Sequence, residues 1–301
     1  MAEEHLTRVF AVANQKGGVA KTTTAINLAA TLAMEGYRVL VVDCDPQSNA
    51  SSGLGISRQS VEVSTYDVLL GEATASEVIQ KTRVDGLRII PSARGLIGAN
   101  IELIGVEGRE FRLKNALDTV KEEFDFVFID CPPALDLLTL NALVATRYVL
   151  VPMQAEYFAL EGVTDLLHTI DRVQAAFNPE LKVEGVVLTM YDERTNLAQQ
   201  VTDNLRGYFG ADLYKTVIPR NIRLAEAPSH GLPVLVYDPR SRGAEAYRAL
   251  GLELLKRMGL ESRTAKGRGE RRPKSGESST QAADNKGDKE DSGKVRFWPY
   301  G

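Results

Sequence analysis

An α/β fold, a mostly parallel twisted sheet with helices on both faces, follows from three features of the sequence. Short runs that are apolar throughout alternate with stretches of helical periodicity. The first such run leads straight into a loop rich in glycine and lysine that opens a helix. Two later runs end in aspartate, where an open parallel sheet has its ligand crevice.

The expected strands, in chain order, are RVFAVA (8–13), RVLVVD (38–43), LRIIPS (87–92), FDFVFID (124–130), YVLVPMQ (148–154), VEGVVLTMY (183–191) and LYKTVIP (213–219). Strands covered on both faces need no polar alternation, so they read as continuous apolar runs. Between them lie TTTAINLAATLAMEG, FRLKNALDTVKEEF, LEGVTDLLHTIDRVQAAF and NLAQQVTDNLRGYFG, each with helical spacing. A last helix, AEAYRALGLELLKRM (244–258), carries apolar residues three and four apart and is expected to pack on the sheet. These elements form one expected domain over residues 1–260. From 261 to 301 the composition turns to Gly, Ser, Lys, Arg and Glu with no aliphatic run, and a disordered charged tail is expected. Its end, VRFWPYG, holds the only tryptophan, Trp298, and reads as either a drifting terminus or a short docking peptide.

Charge and cysteine content exclude several classes. The chain carries 36 Lys+Arg against 40 Asp+Glu, a net of −4. The tail is net basic, so residues 1–260 are the more acidic, and any nucleic-acid contact must come from a local patch. Two cysteines, Cys44 and Cys131, cannot build a disulfide framework and read as small fillers. MAEEHLTR lacks a signal-peptide layout, and no run is apolar enough to span a membrane, so a cytoplasmic protein is expected. The histidines, His5, His168 and His230, lie too far apart to suggest a zinc set.

The loop NQKGGVAKTTT (14–24) departs from the standard G-x-x-x-x-G-K-[ST] phosphate loop. Gln15 and Ala20 stand at the two glycine positions, and a second lysine, Lys16, precedes the usual Lys21. Backbone N–H groups of Gly17, Gly18, Val19 and Ala20 can wrap a β-phosphate at the helix N-terminus. Lys21 would bridge the β- and γ-phosphates, Thr22 would hold Mg²⁺, and Thr23 would reach the α-phosphate. If Ala20 needs positive φ, alanine costs about 1–2 kcal/mol that glycine would not. VVDCDPQSN (41–49) adds Asp43 and Asp45 at a strand end, and FVFIDCPP (126–133) adds Asp130, placed to orient the water shell of Mg²⁺.

KGGVAKTTT, DCDPQSN and FIDCPP together resemble the deviant Walker family of P-loop NTPases, in particular its ParA/Soj chromosome-partitioning branch. PMQAEYFALEG (152–162), TMYDERTNLAQQV (189–201) and VIPRNIRLAEAPSHGLP (217–233) extend the resemblance over about residues 8 to 258. It implies ATP and Mg²⁺ as cofactors and a homodimer formed on ATP binding. In that dimer Lys16 would cross to the partner's phosphates, Asp45 would position the attacking water, and Pro219 and Asn221 would lie near the adenine. It also implies that Arg194 and Arg223 grip non-specific double-stranded DNA, with Arg206, Arg220 and Arg242 as further candidates. The charge of the tail's RGERRPK (268–274), outside the resemblance, offers a weak, diffuse attraction. Spacing alone would instead pair Arg194 and Arg223 with Glu193 or Glu226. A ParB-like centromere-binding protein would stimulate hydrolysis, on the nucleoid in the cytoplasm. Ala20 departs from the commoner KGGVGK of the family. Alternatives are a MinD-like membrane-positioning ATPase, which needs a C-terminal amphipathic helix that the tail does not supply, and a non-hydrolysing regulatory adaptor. A bacterial tyrosine kinase would carry a C-terminal tyrosine cluster, and only Tyr300 is there.

Overall fold

A computed structural model describes residues 6–156 and 159–264. His5, RGERRPK and the VRFWPYG end with Trp298 lie outside the described residues. Seven strands form one sheet: β1 (Arg8–Val12), β2 (Val39–Asp43), β3 (Gln80–Lys81), β4 (Leu87–Ile90), β5 (Phe126–Asp130), β6 (Tyr148–Gln154) and β7 (Lys182–Thr189). Their spatial order is β3-β4-β2-β5-β1-β6-β7. All neighbours run parallel except β3, which pairs antiparallel with β4.

Burial on both faces explains the apolar runs. Along β1, Phe10 and Val12 face one core while Val9 and Ala11 face the other. The first core takes α1 (Lys21–Met34) and the helix Arg242–Arg257; the second takes the helices Arg112–Asp118, Leu137–Ala145 and Ala159–Ala176. α1 and the C-terminal helix lie so close that a Cβ on Gly251 would meet Thr31 Cγ2 at 2.4 Å. The buried Tyr247 hydroxyl finds Thr24 Oγ1 at 3.1 Å across the same contact.

Two expectations need correction. LYKTVIP is not a ladder strand: it touches β7 and the residues after it through isolated bridges at Leu213 and Pro219. The reason lies in its middle, where the N–H groups of Lys215 and Thr216 donate to the Glu253 carboxylate at 2.8 and 2.9 Å instead of to β7. The body also runs past residue 260. Arg263 forms a fork with the buried Asp125 at 2.8 and 3.1 Å, stacks over Tyr37 at 4.2 Å and donates its N–H to Glu35 O. Residues 261 to 264 therefore belong with the body. No helix among the described residues is long and apolar enough to cross a membrane.

Candidate active site and arginine face

The carboxyl ends of β1, β2 and β5 converge. Parallel pairing sets Asp43 beside Asp130 and Val12 beside Asp130, so the phosphate loop after β1 opens onto two carboxylates. α1 begins at Lys21, directly after Ala20, so its free N–H groups face the same point. Ala20 adopts φ 65°, the left-handed region. The strain anticipated from the sequence is therefore present, at a position glycine would occupy without steric strain. Ser48 and Met190 are the other described non-glycine residues with positive φ, and both flank this end of the sheet. A Cβ on Gly17 or Gly18 would meet nothing within 4 Å, so the loop backbone lies open to a ligand.

Lys21 is buried and donates to Lys16 O at 3.2 Å. Burial lowers its ammonium from the usual lysine range, and Asp130, Cys131 and Asp45 oppose that shift. Thr22 Oγ1 donates to Asp130 Oδ2 at 2.7 Å. Asp130 Oδ1 is buried and has no hydrogen-bond partner among the described residues. Burial, then the Asp43 charge, pushes the Asp130 carboxyl well above the ordinary aspartate range. A buried, half-satisfied carboxylate is costly unless something cationic meets it. Thr22 and Asp130 thus fit Mg²⁺, which prefers one or two protein oxygens with water and phosphate completing its shell. Among the described residues no group of three or more His, Cys, Asp or Glu could hold a metal ion.

Asp43 is engaged differently. Its Oδ2 accepts from the Ser51 N–H at 2.8 Å and hydroxyl at 2.6 Å, and its Oδ1 from Asp45 N–H at 3.2 Å. Burial nevertheless pushes it up to about 6. Its role is to hold the turn that presents Asp45, whose Oδ1 accepts from Gln47 N–H at 2.8 Å. Cys44 and Cys131 are buried, and burial raises both thiols, so neither is a poised nucleophile.

A separate cavity of about 320 Å³ is lined by Ala20, Thr23, Ile218, Pro219, Asn221, Leu224 and Tyr247. Pro219 and Asn221 thus come beside the phosphate loop, with an apolar floor suited to a planar base. Lys16 pairs with Glu156 of the same chain. Glu156, Gln154 and Thr189 escaped the sequence reading. Gln154 Nε2 donates to Gly18 O at 3.0 Å, and the Thr189 hydroxyl donates to Val19 O at 3.0 Å, so the ends of β6 and β7 brace the loop. Their partners lie more than 130 residues away in the chain, and no spacing rule connects them.

The arginines form a face beside this site. The turn after β7 carries Arg194, and the segment 219–223 carries Arg220 and Arg223. The two are tied by Tyr191 N–H to Ile218 O at 2.9 Å and Arg220 N–H to Tyr191 O at 3.2 Å. Arg223 pairs with Glu226 at 2.8 Å, as the bland sequence reading expected, and also with Asp238 at 3.2 Å. Arg194 pairs with Asp192 rather than Glu193, through Nε at 2.8 Å and Nη2 at 2.7 Å. Arg242 faces Glu193 at 3.8 Å, and Arg206 pairs with Asp203 at 3.2 Å.

Comparison with known proteins adds to this geometry. A family model described as an AAA domain matches residues 7–183. The sporulation initiation inhibitor protein Soj of Bacillus subtilis (strain 168) is 54% identical over 247 residues, covering 82% of this chain and 98% of its own. The chromosome partitioning protein ParA of Myxococcus xanthus (strain DK1622) is 50% identical over 250 residues, covering 83% and 88%. Among solved structures, a cobyrinic acid a,c-diamide synthase from Mycobacterium smegmatis with bound ATP analog and magnesium is similar at a TM-score of 0.75. It is 40% identical, and the match covers 84% of this chain and 96% of that one.

Proposed function

Because the chain belongs to the ParA/Soj family of chromosome-partitioning ATPases, we propose that it is an ATP-dependent DNA-partitioning switch. The observation that carries this reading is the buried Lys21 and Asp130 with the half-buried Thr22 between them, one Asp130 oxygen having no partner among the described residues, beside an open phosphate loop. Thr22 and Asp130 would hold Mg²⁺, which supplies charge neutralisation for the β- and γ-phosphates. The loop N–H groups and the start of α1 bind the phosphates, and Lys21 adds its charge. Pro219 and Asn221 seat the base. Asp45 orients a water for in-line attack on the γ-phosphorus; the bond to the β,γ-bridging oxygen breaks, and ADP and phosphate leave.

Lys16 serves a second copy. In the lone subunit it is held by Glu156. On pairing of two ATP-loaded subunits it would leave that carboxylate for the partner's phosphates and offset the charge that builds on the transferred group. Hydrolysis then depends on dimerisation. The dimer binds duplex DNA through phosphate contacts of Arg194 and Arg223, without sequence preference, and a ParB-like partner accelerates turnover and release.

The test is ATPase activity with and without duplex DNA and the cognate partner, at two salt concentrations. The reading requires turnover to rise with both additions and the DNA effect to shrink at the higher salt. Negligible hydrolysis with everything present would instead favour a nucleotide-dependent adaptor.

A further inference from the structure

The arginine face has an unusual balance for a surface meant to hold a polyanion. Arg194, Arg220, Arg223 and Arg242 stand among Asp192, Glu193, Glu226 and Asp238, with the exposed Arg240 between Asp238 and Arg242. Polyanion binding calls for a local excess of positive charge, and here carboxylates pair with Arg194, Arg223 and Arg242 and offset most of it. The pairing is also not forced by burial. The Arg194 side chain is 86% exposed, yet its fork closes on Asp192 two residues away. Asp192 Oδ1 further accepts the Arg194 backbone N–H at 3.2 Å, so the turn itself presents the carboxylate to the guanidinium. That fork holds the Asp192 carboxyl down at about 2, and Arg220 adds to the field around it. Arg223 is held from two sides, by Glu226 through Nη1 and by Asp238 through Nε. Tyr237 helps fix Glu226 by donating its hydroxyl to Oε2 at 3.4 Å.

A guanidinium fork binds carboxylate and phosphate through the same edge, so the two ligands exclude each other. We infer that Asp192, Glu226 and Asp238 are affinity-setting residues: they occupy the arginine donors that DNA phosphates would take, and keep the DNA grip shut in the lone subunit. This rests on the reading that the face takes duplex DNA. Exposed ion pairs are individually weak, so the device is soft. It leaves each subunit a poor DNA binder and lets two subunits together outcompete it, since phosphates along a duplex can displace several carboxylates at once.

The experiment measures binding of the full chain to a mixed-sequence duplex by fluorescence anisotropy, with and without ATP, at fixed salt. Asp192→Asn is compared with Asp192→Asn/Glu226→Gln and with Glu122→Gln, an exposed carboxylate away from this face that controls for net charge. Asp192→Asn should tighten binding about 2- to 5-fold and the double variant about 10-fold, with the larger gain in the ATP-free protein. In an Arg194→Ala background Asp192→Asn should gain no more than the Glu122→Gln control. A gain equal to the control in the wild-type background, or one that persists without Arg194, overturns the inference. Arg194→Glu/Arg223→Glu separates the two readings. If that variant still binds DNA normally, the DNA face itself is misplaced. If it loses DNA while Asp192→Asn behaves as the control, only the carboxylate gate fails.

Discussion

The strand β5 carries a buried aspartate at each end, and the two are handled in opposite ways. Asp125, just before the strand, accepts from Arg38 N–H at 2.8 Å and from both Arg263 donors. Asp130, the last residue of the strand, has among the described residues only the Thr22 hydroxyl, and one of its oxygens has no partner there. Same residue type, opposite ends of one strand, similar burial: the difference is whether the fold itself completes the charge. A completed carboxylate acts as a structural tie. An incomplete one costs stability unless something outside the chain completes it.

That contrast can be broken by mutation. Asp130→Asn should weaken ATP binding in the presence of Mg²⁺ by about 100-fold or more. It should leave the thermal midpoint of the ligand-free protein unchanged or higher, because it removes an uncompensated buried charge. Calorimetric titration and a melt on the same sample check both halves, and a clear drop in the midpoint would mean that Asp130 is structural after all. Asp125→Asn should do the reverse. It should lower stability in urea by about 2–3 kcal/mol while leaving ATP affinity within about twofold. Arg263→Met removes one partner of that tie and the stack on Tyr37, for about 1–2 kcal/mol, since Arg38 remains and the guanidinium is only half-buried. Ala20→Gly has the smallest expected effect on folding. It relieves the positive φ and should stabilise by about 1 kcal/mol, less the added chain entropy of glycine. A loss on that change would show that the loop geometry is not strained by the methyl group.

The two ends of β5 also differ in how legible they were. The site end could be read because its chemistry is local. KGGVAKTTT, DCDPQSN and FIDCPP each place their chemical groups within a few residues of a strand end, and the sheet does the rest. Asp43 and Asp130 needed only parallel pairing to become neighbours. The other end could not be read, because Asp125 and Arg263 are 138 residues apart, and Arg263 opens a stretch of polar composition. LYKTVIP failed for the same reason. Its propensity is that of a strand, but Glu253, 37 and 38 residues on, takes the N–H groups that a ladder would have used. Lys16 stood out at once as a surplus cation; its resting partner Glu156, 140 residues later, did not.

The Arg263 tie has a bench-side consequence. Composition invites trimming the chain at residue 260 to obtain crystals or a cleaner NMR spectrum. Such a cut would discard Arg263 along with the Glu261 carbonyl that the Tyr37 hydroxyl donates to at 2.6 Å. A shortened protein that proves fragile would then report on the cut, whereas ending the chain after Thr264 would spare both contacts.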